Sequence, residues 1–86
     1  MSRVSEENRE KIKESMLREF YDYYPGMLWT SQVAERIVRD EEFSLRLLKE
    51  LNEKGLVLMR EESRGGKVKR KWGINKEVWE KYKELV

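Results

Sequence analysis

The 86-residue chain has no cysteine and no histidine. These absences exclude disulfides, Cys/His zinc sites, thiol nucleophiles and every triad that needs an imidazole base. No apolar run approaches the roughly 20 residues of a membrane span, and Met1 to Glu6 lack the hydrophobic core of a signal peptide, so a soluble, cytoplasmic chain is expected. Phosphate-binding loops of the GxxxxGK[ST] or GxGxxG type are missing, and Gly65-Gly66 is an isolated pair. The Asp/Glu-x-Lys core of one large class of metal-dependent nucleases is missing too, because no lysine has a carboxylate two residues before it. The carboxylates are spread at ion-pair spacing. No enzymatic activity, metal or cofactor is expected.

Proline occurs once, at Pro25, and glutamine once, at Gln32, while 15 glutamates and 10 lysines are present, a bias associated with thermophiles. Charged residues make up 42% of the chain but nearly cancel, 19 Lys+Arg against 17 Asp+Glu, for a net of +2. The apolar fraction of 38% is low, yet it includes three Trp, four Tyr and two Phe, each of which buries a large area. One small domain covering 1–86 is expected.

Ser5 followed by Glu6-Glu7 is a helix N-cap with an acidic first turn, where the helix dipole favours negative charge. Ile12, Met16, Leu17, Phe20, Tyr23 and Tyr24 recur at helical spacing up to Pro25-Gly26, with Glu7/Lys11 and Glu14/Arg18 as outer i,i+4 pairs. The tyrosines at 21, 23 and 24 are expected in the core. Met27-Leu28-Trp29 is a strand stub or extended linker, and Thr30-Ser31 the N-cap of a second helix of about nine residues with Val33, Ala34, Ile37 and Val38 as its apolar face. Asp40 ends that helix and caps a third, which runs to Lys54 with Leu45, Leu47, Leu48 and Leu51 buried. Gly55 then suits a left-handed C-cap with Leu56 as its hydrophobic partner.

From Leu56 the pattern becomes extended. Leu56-Val57-Leu58-Met59 is one strand, and Val68, Arg70, Trp72 and Ile74 alternate against Lys67, Lys69, Lys71 and Gly73 in another. Ser63-Arg64-Gly65-Gly66 supplies the hairpin turn. Asn75 caps a last helix whose Val78, Trp79, Tyr82, Leu85 and Val86 pack down, and Trp29, Trp72 and Trp79 are all expected in the core.

This order of elements resembles a winged helix-turn-helix domain, an α+β but mainly α fold with a three-helix core, a β-hairpin wing and a C-terminal helix. Residues Trp29 to Ile74 carry the resemblance. Thr30 to Ile37 resembles the supporting helix, and the Leu-x-x-Leu-x-x-x-Gly-Leu-Val stretch from Leu48 to Val57 resembles a recognition helix running into the wing, as in small prokaryotic and archaeal transcription regulators. The resemblance implies that the third helix enters the DNA major groove and that the wing touches backbone or minor groove.

A helical wheel with Leu48 and Leu51 inward puts Glu42, Arg46, Lys49, Glu50 and Glu53 outside, three carboxylates against two cations. Such a face repels phosphate, although Glu can accept from cytosine N4. Arg46 and Lys49 are its candidate nucleic-acid contacts; the competing reading pairs them with Glu42 and Glu53 at i,i+4. The hairpin is more strongly basic. Residues 1–53 hold 9 basic and 12 acidic side chains, residues 54–86 hold 10 and 5, and Arg64, Lys67, Lys69, Arg70 and Lys71 fall within one acid-free octapeptide. Five phosphate contacts would give a log–log salt slope of about −4.5 on duplex DNA. Lysines that guard an edge strand are the alternative.

The function expected is duplex-DNA binding by a transcription regulator, through the wing and through Arg46 and Lys49. A winged-helix module that binds protein or RNA within a larger assembly is the rival reading. The aromatic first and last helices either form a homodimer interface or bury their faces within one chain, and both stay open.

Overall fold

The computed structural model describes residues 5–85. Helix α1 (Glu6–Tyr23) is followed by strand β1 (Leu28–Trp29), helices α2 (Thr30–Ile37) and α3 (Glu41–Glu53), strands β2 (Leu58–Arg64) and β3 (Lys67–Gly73), and helix α4 (Lys76–Leu85). The sheet is antiparallel in the order β1-β3-β2, so the strand stub at Leu28 joins the hairpin as a third strand, with Leu28 opposite Trp72. Helices α1 to α3 pack on the face of the sheet that carries Leu28 and Trp72. Between them lie Met16, Phe20, Val33, Leu47, Leu48, Leu51 and Val57, all essentially inaccessible.

Local chemistry fixes most boundaries. Ser5 Oγ accepts from the Asn8 N–H, Asp40 Oδ1 from Phe43 at 2.7 Å, and Asn75 Oδ1 from Val78 at 2.8 Å, which are N-caps as expected from the sequence. Gly55, at φ 76°, closes α3 in a Schellman motif: its own N–H donates to Asn52 O and that of Leu56 to Leu51 O. Gly65 and Gly66, both at positive φ, form the two-residue hairpin turn.

Four expectations are corrected. The cap of α2 is Trp29, whose N–H donates to Gln32 Oε1 at 2.9 Å. Thr30 is drawn elsewhere: its hydroxyl accepts from Trp72 Nε1 at 2.8 Å and donates to Arg70 O, which satisfies a buried indole N–H and ties α2 to the sheet. The first wing strand begins at Leu58 and runs to Arg64 instead of spanning Leu56–Met59, because the α3 C-cap consumes Leu56, while Val57 is buried and its carbonyl accepts from Asn52 Nδ2. Leu45 is half-buried at the rim of α3, and Val38, placed on the apolar face of α2, is exposed at its end.

The aromatic residues divide. Trp72 is in the core, and Trp79 is half-buried in a ladder with Tyr21 and Tyr24, its ring centroid 5.0 Å from that of Tyr24, while Tyr82 packs on Tyr21. The facing aromatics of α1 and α4 therefore meet within one chain. Tyr23 is exposed beneath the Arg36 guanidinium, and Trp29 lies outside the core on the opposite face of the sheet. Within a strand adjacent residues face opposite sides, so Leu28 inside puts Trp29 outside. The side chain of Leu85 and all of Val86 lie outside the described residues.

Candidate nucleic-acid interface

Helix α3 offers Arg46 and Lys49 on its exposed side, one turn apart. Neither has an ion-pair partner within 4.0 Å among the described residues, so the i,i+4 pairing with Glu42 and Glu53 is not formed. Glu50 does not belong to this surface. Its carboxylate accepts from Lys13 Nζ at 2.9 Å and pairs with Arg9, both on α1, and Lys13 also reaches Glu10 at 3.2 Å. The hydrogen bond from Lys13 holds the Glu50 carboxyl below the usual carboxylate range, and the same bond raises Lys13. With Glu50 withdrawn, the free face of α3 carries Arg46 and Lys49 against Glu42 and Glu53. It is neutral, not acidic.

The wing projects beyond the helices. Trp72 inside fixes the alternation of β3: Val68 and Arg70 share its face, which continues past the helices, while Lys67, Lys69 and Lys71 occupy the outer face. Arg70 pairs with Glu61 at 3.3 Å across the hairpin. On the helix side a cleft of about 460 Å³ opens between the wing and the start of α3, with Glu41, Glu42 and Leu45 on one wall and Val68 and Arg70 on the other. Arg64 and Lys67, opposite one another beside the turn, stand at the tip.

The seven expected site residues thus fall into three places: Arg46 and Lys49 on α3, Arg70 on the helix side of the wing, and Arg64, Lys67, Lys69 and Lys71 on its outer face, Arg64 and Lys67 at the tip and Lys69 and Lys71 near the body. The outer face contains two residues not expected there: Arg60, which reading the sequence did not single out, and Trp29, which it placed in the core. Arg60 lies opposite Lys71 on β2, and Trp29 lies opposite Lys71 on β1, with the Lys71 and Lys69 ammonium groups 4.7 and 5.8 Å from its ring centroid. The signal for Arg60 was the alternation Leu58-Arg60-Glu62-Arg64, hidden by starting the strand too early. Glu62 is the single carboxylate on this face; the Lys71 ammonium pairs with it at 2.9 Å and lowers its pKa. Arg60, Arg64, Lys67 and Lys69 have no ion-pair partner within 4.0 Å among the described residues. None of those residues groups three or more Asp/Glu side chains as a metal site, and no helix among them is long and apolar enough to cross a membrane.

No protein-family model matches the chain, and no curated protein matches it in sequence. Solved structures do. A point mutant of MepR from a multidrug-resistant S. aureus clinical isolate superposes with a TM-score of 0.73 at 14% identity over 88% of this chain, which spans only 54% of that one. A possible transcriptional regulator from Methanosarcina mazei Go1 gives 0.69 at 16% identity, covering 87% of this chain and 68% of its own. Stf76, from the Sulfolobus islandicus plasmid-virus pSSVx, gives 0.61 at 15% identity, covering 83% and 92%. These superpositions show a shared fold, and the order of elements in this chain, helix, strand stub, capped helix pair, hairpin, helix, is that of the winged helix-turn-helix fold.

Proposed function

We propose that this protein binds duplex DNA as a transcription regulator. The observation that carries the reading is the set of unpaired cations on α3 and at the wing tip, Arg46, Lys49, Arg64 and Lys67, on a fold shared with a possible transcriptional regulator. Arg46 and Lys49 face the major groove, and Arg64, Lys67 and Arg70 grip the flanking backbone. Glu50, engaged with α1, no longer opposes the approach of phosphate. A second copy, joined through the surface that α1 and α4 keep outside the core, gives the two-fold needed for a palindromic site.

Fluorescence anisotropy with a labelled duplex of about two helical turns, titrated at several salt concentrations, tests the reading. Five phosphate contacts, from Arg64, Lys67 and Arg70 on the flanking backbone and from Arg46 and Lys49 at the groove's edge, predict a log–log slope of about −4.5 per chain, and the titration should saturate at two chains per palindromic site. The double variant Arg46→Ala/Lys49→Ala should lose affinity at least about tenfold and flatten the slope by about 1.8. Full affinity in that variant would remove α3 from the contact. The acidic pair Glu41-Glu42 at the start of α3 favours the rival reading, a protein-docking module, and absence of duplex binding at low salt would select it.

A further inference from the structure

Strand alternation separates the basic outer face of the sheet from α3. A duplex seated on α3 reaches the wing tip, but Lys71 and Arg60 lie on the far side of a sheet whose other face holds the helices, while Lys69 and Trp29 stand at the edge between that face and the cleft beside α3. Lys69 and Lys71 lie over the half-buried indole of Trp29, Arg60 stands on the same face across β3, and a groove of about 330 Å³ runs from that ring along Lys69 and Lys67 to Arg64. Its size is at the small end of ligand sites, near about 300 Å³, and its length is open. The groove is thus a track of cations with an aromatic plate at one end. Its one acid, Glu62, is already neutralised by Lys71.

We infer that the outer face of the sheet is a second nucleic-acid site, for a single strand bound without sequence preference. Three features select a single strand over a second duplex. Alternate residues of β3 set Lys67, Lys69 and Lys71 about 7 Å apart in a row, the spacing needed to follow one extended phosphodiester backbone. The groove's volume of about 330 Å³ is that of a small ligand site and cannot enclose a duplex. Trp29 is a flat π surface at hand to an unpaired base, while a base inside a duplex offers only its edges. Bound phosphates draw the lysine ammonium groups off the indole, and a base takes their place over the ring. This site shares Arg64 and Lys67 at the wing tip with the duplex contact but no residue with α3, and Trp29, Lys69 and Arg60 belong to it alone.

The test titrates the full-length protein with oligo(dT) and oligo(U) of about ten nucleotides, sequences that form no duplex. Contacts from Arg60, Lys67, Lys69 and Arg64 predict a log–log salt slope of about −2.8, at roughly −0.7 per contact on single strands. Arg60→Ala/Lys69→Ala, two exposed positions, should flatten that slope by about 1.4 and lower oligo(dT) affinity about tenfold, while Arg46→Ala/Lys49→Ala leaves it unchanged. Binding should quench tryptophan emission, the quench should vanish in Trp29→Phe, and Trp29→Leu should bind about fivefold or more weakly. Comparing the two oligomers separates DNA from RNA as the strand bound. Failure to bind either oligomer at low salt overturns the inference, as does oligo(dT) binding that survives Arg60→Ala/Lys69→Ala but is lost with Arg46→Ala/Lys49→Ala. The duplex titration, read separately, decides the α3 site, so either site can fail alone.

Discussion

Val38 terminates α2 at φ 56° and ψ 50°, a left-handed conformation that crowds the Cβ of a β-branched residue, and its side chain is 84% exposed. Nothing in the packing compensates for that strain. Relief of roughly 1–2 kcal/mol, less the roughly 0.5–1 kcal/mol by which glycine favours the unfolded chain, predicts that Val38→Gly stabilises the protein by about 0.5–1 kcal/mol. Thermal denaturation should show a Tm several degrees higher, and a lower Tm would mean that Val38 makes a contact this structure does not contain. The sequence gives no warning of this residue. Without a glycine at the end of α2, the boundary was visible only through Asp40, two residues on, whereas Gly55 marked the end of α3 directly. Trp29 was within reach: once Leu28 is inside, period-two alternation puts its neighbour outside.

Helices α1 and α3 are joined by an ionic clamp as well as by apolar packing, with the nearly buried Lys13 between Glu10 and Glu50. The Glu50 carboxyl is depressed by Lys13, so its stabilising contribution is complete above the unfolded carboxylate value of about 4.3 and is lost as the pH falls through the lower folded value. Lys13 is raised, so its share is complete below about 10.4 and is lost only at higher pH. Glu50→Gln should cost about 1–2 kcal/mol at neutral pH in urea titrations, and its stability should fall less steeply than the wild type below pH about 4. Equal acid slopes would show that Glu50 contributes nothing to the acid transition. Periodicity within α3 could not reveal this clamp, since the wheel places Glu50 on the exposed face and only the crossing of α1 decides that it is covered. The helices and the hairpin were legible because caps, glycines and periodicity are local signals. The start of β2 was not, because Leu56 and Val57 are as apolar as a strand but serve the cap and the core.

Over the whole molecule, charge is distributed much less evenly than the net of +2 implies. The uneven composition of the two halves was plain in the sequence; the division of the wing cations between two faces was not, because it depends on which β3 residues point to the helices. The variants Arg46→Ala/Lys49→Ala and Arg60→Ala/Lys69→Ala carry identical formal charge, yet the second removes two members of the densest cationic field. On a cation exchanger at pH 7 the second should elute at lower salt than the first. Identical elution would mean that the sheet face does not govern long-range attraction.

Only the base of the hairpin is clamped in the core, by Trp72, while Val68 near its tip is half exposed. The wing is accordingly a lever fixed at one end, and β1, two residues long, braces β3 only at Lys71 and Trp72. Beyond that brace the strands hold each other and little else, so the outer rungs can twist and fray while the base stays shut. The cations nearest the tip therefore ride on the compliant part of the fold, able to follow a ligand of varying curvature, and whatever they grip must also bear the entropy of stilling them.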